Sequence, residues 1–186
     1  MKKEGTLYTI IFIFIVSFVF VLLLSLTNQT TIERVELNEE LAQQGAVLSA
    51  MGIEAETAQD IQDRYAELNA DVDSGLYVGT VDGRMVYARQ FAGAGLWGTI
   101  SGVLAVTADL EEIIGLEIVR DNETPGLGGR INEEWFKEQF RGEDVSGGRL
   151  VVGQTPGEGD PSPSNGLVDG VTGATRTSDA IEVIIN

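Results

Sequence analysis

The segment richest in residues that could do chemistry is Asp169–Ser178, with the sequence DGVTGATRTS. Two threonines, Thr172 and Thr175, flank the small residues Gly173 and Ala174. A bulky group could therefore reach either hydroxyl. The helix predicted to follow would offer unpaired N–H groups and a positive dipole end, which suit a phosphate. Threonine and serine also commonly begin helices, so an ordinary loop and helix cap is the alternative that composition alone leaves open.

A second glycine-rich segment, Glu123–Gly129, has the sequence ETPGLGG and lies between a predicted strand and a predicted helix. Pro125 fixes φ, whereas the three glycines permit positive φ and a close approach of a ligand to the backbone. A glycine-rich turn without a ligand is the alternative reading of this composition. The segment by itself is a weak indication of a binding site.

The chain contains neither cysteine nor histidine. Their absence excludes disulfides, thiolate or imidazole metal sites, iron–sulfur clusters held by cysteine, and nucleophilic catalysis by a Ser-His or Cys-His pair. It also removes the usual general base near neutral pH. We therefore expect no catalytic residue and no metal site, and we expect any chemistry to belong to a cofactor.

The charge balance is strongly acidic, with 12 basic and 29 acidic residues and a formal net charge of −17. A field of that sign argues against nucleic acid and anionic lipid head groups as partners. It also opposes loose binding of a free anion.

An uncharged run, Leu7–Leu26, precedes the rest of the chain. At ~1.5 Å per residue, a helix of that length crosses a hydrocarbon core of ~30 Å. Lys2 and Lys3 precede the run, which predicts a cytoplasmic N-terminus and an extracytoplasmic (periplasmic) remainder. A cleaved signal peptide is the alternative, but its apolar region would be shorter and would end at a small-x-small site. We expect residues 1–30 to be a single-pass anchor in the inner (plasma) membrane.

The rest of the sequence predicts an α+β fold, in which helices flank an antiparallel sheet. The predicted strands are Leu76–Val81, Met85–Ala88, Trp97–Thr107, Ile113–Val119 and Arg149–Val152. Asp82-Gly83 lies between the first two strands and is a strong hairpin signal. Residues 31–72 are predicted to be a helical connector, and residues 73–186 a compact domain.

Four helices are predicted after the anchor, at Thr31–Met51, Glu56–Leu68, Glu133–Phe140 and Ser178–Ile185. Gly52 suits the C-terminal cap of the first. Asn132 is predicted to cap the third, which would bury Trp135, Phe136 and Phe140. Gln154–Asn165, rich in proline, glycine and serine, is predicted to be a loop.

Three motifs resemble those of one family. The pattern D-G-x-[S/T]-G-A-T is matched by Asp169–Thr175, the pattern E-T-P-G-L-G by Glu123–Gly128, and the stretch G-x-G-L-W by Gly93–Trp97. The chain thereby resembles the FMN-carrying subunits of the Na+-translocating NADH:quinone reductase (NqrC) and of the Rnf complex (RnfG). The resemblance covers most of the chain. The region between Ile53 and Leu76 is shorter than expected for NqrC, and the early end at Asn186 suggests a shortened C-terminus.

The resemblance implies that Thr175 carries FMN as a phosphate ester. A threonine hydroxyl is a poor nucleophile, and with no histidine present the resemblance implies a separate flavin transferase that uses FAD as donor. Trp97, Leu127 and Pro125 are candidates to pack on the flavin ring, with core packing as the alternative for Trp97. Glu123 and Thr124 could bond the ribityl chain or the ring edge, with a solvated loop acid as the alternative for Glu123. The full set of expected cofactor-binding residues is Thr175, Thr172, Gly173, Ala174, Asp169, Glu123, Thr124, Gly126, Leu127, Gly128, Leu96 and Trp97.

The implied function is electron transfer by one FMN subunit of a membrane redox-driven ion pump, with other membrane subunits as partners. Asp169 is expected to organise the turn or its recognition by the transferase, and Arg176 is a possible partner of the phosphate. The Gly95-Leu96-Trp97 stretch favours the sodium-coupled quinone-reductase type, and the Rnf type, coupled to ferredoxin and NAD, is the nearest alternative. A membrane-tethered scaffold module without flavin and a stand-alone extracytoplasmic flavoprotein are the other hypotheses.

Overall fold

The computed structural model describes residues 5–153, 162 and 164–186, so most of the predicted loop Gln154–Asn165 lies outside the described residues. The chain divides into two compact units, Met1–Glu40 and Leu41–Asn186. The prediction of an anchor, a connector and a domain with boundaries at residues 30 and 72 stays a prediction. The α+β class with an antiparallel sheet is confirmed.

The first unit contains most of helix α1, which runs from Thr6 to Ala50 and is long and apolar enough to cross a membrane. The prediction of two helices separated after Leu26 is wrong, because the helix continues through the polar residues that follow. The hydroxyls of Thr27 and Thr31 donate to the carbonyls of Leu23 and Thr27, each at 2.9 Å. These bonds to the preceding turn keep the threonines compatible with a continuous helix.

The second unit begins with the last turns of α1, whose residues Val47, Leu48 and Ala50 are buried. Gly52 has a φ of 79°, and the N–H of Ile53 donates to the carbonyl of Leu48 at 2.8 Å, which confirms the glycine cap. Helix α2 spans Ala58–Ala66, two residues shorter than predicted at each end. It begins there because the side chain of Thr57 accepts from the N–H of Asp60.

Five antiparallel strands form the main sheet in the order β1-β2-β3-β4-β5. They are β1 Asn69–Asp71, β2 Leu76–Val81, β3 Arg84–Ala94, β4 Thr99–Thr107 and β5 Ile113–Arg120. Asp82 and Gly83, with φ of 51° and 78°, form the predicted hairpin turn. Strand β1 was not predicted, since its three residues are all exposed and show no alternation. Strand β3 continues past its predicted end to Ala94, which pairs with Thr99.

Each face of the sheet packs against a separate apolar cluster. The cluster on one face includes the end of α1 and comprises Val47, Ala50, Met51, Tyr77, Val86, Ala88, Val103 and Ala105. The cluster on the other face includes Ile100, Leu116, Phe136, Phe140, Val168, Val171, Ala174 and Ile181. The second cluster lies beneath the glycine-rich segments singled out above.

The second face is covered by short elements. A 3₁₀ helix, Gly128–Asn132, leads into α3, Glu134–Glu138. Strands β6, Val151–Gly153, and β7, Leu167–Asp169, form a small parallel sheet, and α4 spans Thr175–Ile185. Strand β7 was not predicted, and α4 begins three residues earlier than predicted.

The predicted cap at Asn132 is wrong. Its side-chain amide donates to Asp121 Oδ2 at 2.6 Å and to the carbonyl of Gly129 at 3.1 Å, so it closes the preceding 3₁₀ turn. Glu133 occupies the cap position of α3 without a side-chain cap bond. The predicted burial is confirmed for Phe136 and Phe140, while Trp135 is only partly buried.

Candidate functional site

The side chain of Glu123 joins three segments that are far apart in the sequence. Its Oε1 atom accepts hydrogen bonds from the backbone N–H groups of Leu96 at 2.8 Å and Trp97 at 3.1 Å. Its Oε2 atom accepts from the hydroxyl of Thr177 at 2.6 Å. The residue is buried, with 6% of its surface exposed. The turn between β3 and β4, the loop after β5 and helix α4 therefore meet at one carboxylate.

Glycines enclose this carboxylate on two sides. A Cβ atom added to Gly95 would lie 2.5 Å from Glu123 Oε1. A Cβ atom added to Gly128 would lie 2.7 Å from Glu123 Oε2 and 2.5 Å from the hydroxyl oxygen of Thr177. Because neither site tolerates a side chain, these two glycines of the G-L-W and E-T-P-G-L-G motifs are explained by the packing around Glu123.

The loop after β5 is shaped by its own backbone. The N–H groups of Leu127 and Gly129 both donate to the carbonyl of Thr124, at 3.1 and 3.0 Å. Pro125 and Gly126, the latter with φ of 74°, form the centre of a type II turn. The turn places Leu127 beside the other motif, because a Cβ atom on Gly173 would lie 3.6 Å from Leu127 Cδ2.

The segment between β7 and α4 is held by backbone and side-chain bonds on its inner side. The side chain of Gln139 accepts from the N–H of Asp169 at 2.8 Å and donates to its carbonyl at 3.2 Å. The N–H of Gly170 donates to the carbonyl of Gly153 at 2.7 Å. The hydroxyl of Ser178 accepts from the N–H of Val171 at 3.0 Å. The turn is therefore fixed without using the hydroxyls of Thr172 and Thr175.

Hydroxyl exposure separates the candidate attachment residues. Thr172 and Thr175 are exposed, whereas Thr177 and Ser178 are buried, with 1% and 0% of their surface accessible. Thr175 is the first residue of α4, and Ala174 at the cap position supplies no side-chain cap bond. The first turn of the helix can therefore bind an external acceptor such as a phosphate oxygen.

Apolar side chains are exposed on the segments around this helix end. Trp97 is 69% exposed, Leu127 47% and Leu96 43%. Core packing, the alternative for Trp97, is therefore wrong. An exposed tryptophan and two exposed leucines on segments tied to α4 can pack against an aromatic ring system.

The structure changes the interpretation of two acidic residues. Both carboxylate oxygens of Glu123 accept hydrogen bonds from the protein, so a solvated loop acid is the wrong description. Asp169 is also buried, and within the described residues its carboxylate accepts no hydrogen bond, while its backbone is held by Gln139. Binding of the cofactor by either residue stays a prediction.

Two residues of the site were not found from the sequence. Thr177 lies within the motif segment, and its hydroxyl type was the only available signal, since the side on which it faces depends on where α4 begins. Gln139 lies on the segment after α3 and carries no signal, because its partner, the backbone of Asp169, is 30 residues away.

Comparisons with known proteins give the family of the chain. Residues 95–186 match the family described as FMN-binding domain. This range contains the Glu123–Gly128 and Asp169–Thr175 motifs and the last three residues of the Gly93–Trp97 stretch. The site is therefore that of a flavin-binding domain. Over 183 residues, the chain is 30% identical to the G subunit of the Na(+)-translocating ferredoxin:NAD(+) oxidoreductase complex of Acetobacterium woodii, covering 94% of this chain and 85% of that protein.

A second relative is the C subunit of the Na(+)-translocating NADH-quinone reductase of Pseudomonas aeruginosa. It is 32% identical over 116 residues, which is 60% of this chain and 44% of the relative. The crystal structure of the corresponding protein from Parabacteroides distasonis superimposes with a TM-score of 0.65 and 25% identity, covering 80% of this chain and 88% of that one. The chain belongs to the family of FMN-binding subunits that includes these relatives.

Proposed function

We propose that this protein carries FMN covalently on Thr175 and transfers electrons within a membrane ion-translocating complex. The observation that carries the proposal is the difference between two neighbouring hydroxyls. Thr175 is exposed at the uncapped start of α4, whereas Thr177 is buried and donates to Glu123. Of the threonines on α4, Thr175 is therefore the accessible one, at the position that the motif implies.

An FMN phosphate at Thr175 would lie at the positive end of the α4 dipole. That position favours an exposed anion by ~0.3–1 kcal/mol. Forming the ester also lowers the phosphate charge from near −2 to −1, which reduces repulsion from a chain with a net charge of −17. A covalent bond removes the dependence on free FMN.

The bound flavin would supply the redox chemistry, and the protein would orient it and tune its potential. We assign Leu96, Trp97 and Leu127 to packing against the ring. We assign Arg176, exposed next to Thr175, as a partner of the phosphate. The motif residues closest in sequence to the attachment point and to the turn at Pro125 are assigned to the rest of the cofactor: Thr172, Gly173, Ala174, Asp169, Thr124, Gly126 and Gly128.

The maturation and placement of the protein follow from the same proposal. A separate flavin transferase would recognise the exposed segment around Thr175 and attach FMN from FAD. The apolar part of α1 would anchor the chain with its N-terminus in the cytoplasm and the FMN domain outside. No charged residue lies between Leu7 and Leu26, so ion conduction would belong to the partner subunits.

Two observations bear on the type of complex. The Gly95-Leu96-Trp97 stretch supports the sodium-coupled quinone-reductase type. The alignment with the Acetobacterium relative extends over 94% of this chain, against 60% for the Pseudomonas relative, and supports the ferredoxin:NAD+ type. We favour the ferredoxin:NAD+ type on the extent of this alignment, and the partners that copurify with the tagged protein would decide between the two.

Flavin attachment is tested with Thr175→Ala. The full chain is coexpressed with a flavin transferase, and its intact mass and in-gel flavin fluorescence are recorded. The wild type should gain the mass of one FMN less water, and Thr175→Ala should lose both the added mass and the fluorescence. The reason is that alanine has no hydroxyl with which to form the phosphate ester.

Thr80→Ala is the control, since it removes an exposed threonine hydroxyl from strand β2, outside the three motifs, and should keep the adduct. An adduct that survives in Thr175→Ala would contradict the assignment and move the attachment to another hydroxyl. A wild type without any adduct would favour the scaffold hypothesis.

A further inference from the structure

We propose that Glu123 is a positioning residue, which fixes the exposed Leu96–Trp97 turn relative to the helix that carries Thr175. The proposal rests on the proposed function, because it assigns this geometry to the attached flavin. The sequence suggested a direct contact between Glu123 and the cofactor. Both of its oxygens are instead used within the protein, so it acts on the flavin through the segments it joins.

Glu123 bonds the residues that carry the exposed apolar side chains and a residue close to Thr175. The two amides from which it accepts belong to Leu96 and Trp97, whose side chains are exposed. The hydroxyl from which it accepts belongs to Thr177, two residues after the exposed Thr175. The loop that carries Glu123 also carries Leu127. One carboxylate therefore relates all three exposed apolar side chains to the proposed ester position.

The backbone of the β3–β4 turn does not by itself fix the position of Leu96 and Trp97 relative to α4. Its backbone bond joins the N–H of Gly95 to the carbonyl of Gly98 at 2.7 Å, which closes the turn but makes no link to α4. The bonds from Leu96 and Trp97 to Glu123 make that link. A buried carboxylate is costly unless its oxygens are hydrogen-bonded, and three donors satisfy this one.

The packing around the Glu123 carboxylate confines this side chain to one position. Gly95 and Gly128 leave no space for side chains on either side of it, and its loop is held at the other end where the N–H of Glu123 donates to Asp121 Oδ1 at 2.8 Å. A shorter side chain at position 123 would not reach either partner. Glutamine has the same shape, and it would accept from the two amides and donate to the Thr177 oxygen.

Amide hydrogen exchange and the visible circular dichroism of the attached FMN test the proposal on the full chain in detergent. Glu123→Ala should raise the exchange rates of the Leu96 and Trp97 amides about tenfold, because their acceptor is lost. It should also alter the flavin circular dichroism, which reports the surroundings of the ring. Glu123→Gln should resemble the wild type in both measurements.

Glu117→Ala is the matched control. Glu117 is another partly buried carboxylate that joins segments, since it accepts from Ser49 Oγ at 2.8 Å and from Lys137 Nζ at 2.9 Å. It lies outside the candidate site, so its loss should leave the Leu96 and Trp97 exchange rates and the flavin spectrum unchanged. Thr177→Val, which removes one of the three bonds and keeps the volume, gives a second variant in case Glu123→Ala does not fold.

The proposal would be overturned by unchanged exchange at Leu96 and Trp97 in Glu123→Ala. If the alanine variant does not fold, it would be overturned by an unchanged flavin spectrum in Thr177→Val, which cuts the link from Glu123 to α4. It would equally be overturned by faster exchange with an unchanged flavin spectrum, or by Glu117→Ala producing the same changes. A wild type that carries no flavin would instead contradict the proposed function. The exchange measurement needs no flavin, so it would still decide whether Glu123 holds the turn.

Discussion

The two ends of helix α4 are held to the domain in different ways. At the C-terminal end, Glu182 Oε2 accepts from the N–H of Val152 at 2.9 Å, and Asn186 exchanges two bonds with the backbone of Leu150, both at 2.9 Å. These side chains take the place of a neighbouring strand along β6. At the N-terminal end, Thr177 bonds Glu123, while Thr175 stays exposed.

The difference shows how one helix can be held at both ends and still present an exposed hydroxyl. The C-terminal end uses its polar side chains to satisfy the backbone of the small sheet. The N-terminal end turns two hydroxyls, those of Thr177 and Ser178, into the domain and leaves Thr175 outside. A site on a rigid element keeps its geometry better than one on a loop. The fixed C-terminal end therefore supports the proposed attachment at the other end.

The largest effect on this helix is expected from Ile181→Ala, because Ile181 is completely buried between the two ends. Removing its side chain should lower the free energy of unfolding by ~2–5 kcal/mol. Denaturant unfolding followed by tryptophan fluorescence would measure it. Val183→Ala is the matched control on the same helix, with Val183 78% exposed, and should change stability by less than ~0.5 kcal/mol. Equal effects of the two variants would contradict the packing of α4.

A smaller loss is expected from Glu182→Ala, which breaks the C-terminal attachment alone. The variant leaves the N–H of Val152 without its acceptor and should cost ~1–3 kcal/mol. Arg149→Ala removes only the partner on the exposed side and should cost less than ~1 kcal/mol. If the contrast between the two ends is right, the flavin spectrum should change less in Glu182→Ala than in Glu123→Ala.

The same residue gives this end a pH dependence. The hydrogen bonds from Arg149 and from the N–H of Val152 lower the pKa of Glu182 below its ordinary value. Its stabilisation is therefore present above the pKa of the unfolded chain and is lost as the pH falls through the lowered pKa. The difference in unfolding free energy between wild type and Glu182→Ala should shrink in that acidic range. A difference that stays constant with pH would contradict the ionised bond.

Sequence patterns sufficed for the parts of the fold that rest on local signals. The Asp82-Gly83 hairpin, strands β2 and β5 to within one residue, and the cap at Gly52 were predicted because turn residues and alternation lie within the segments themselves. Strand β1 and strand β7 were missed, since three-residue strands carry no period and depend on their partners. The start of α4 was placed too late because Ala174, at the cap position, carries no capping side chain.

In the site, too, local motifs were predicted and long-range contacts were not. The two glycine-rich segments and Leu96–Trp97 were found from motifs, but composition did not show that they meet. Their meeting depends on Glu123, whose partners lie 26, 27 and 54 residues away in the chain. Contacts over such separations leave no periodic signal. The sequence therefore predicted which residues belong together but not that a carboxylate joins them.

The smallest effects are expected from two valine substitutions that test the N-terminal end directly. Thr175→Val should leave the unfolding free energy of the flavin-free chain within ~0.5 kcal/mol, because the exposed hydroxyl bonds nothing in the described structure. Thr177→Val should cost ~1 kcal/mol, because it removes the bond to Glu123 while keeping the volume. Denaturant unfolding of both variants without transferase would measure the difference. If Thr175→Val were the more costly of the two, the exposed hydroxyl would have a structural role and its assignment as the attachment residue would lose its basis.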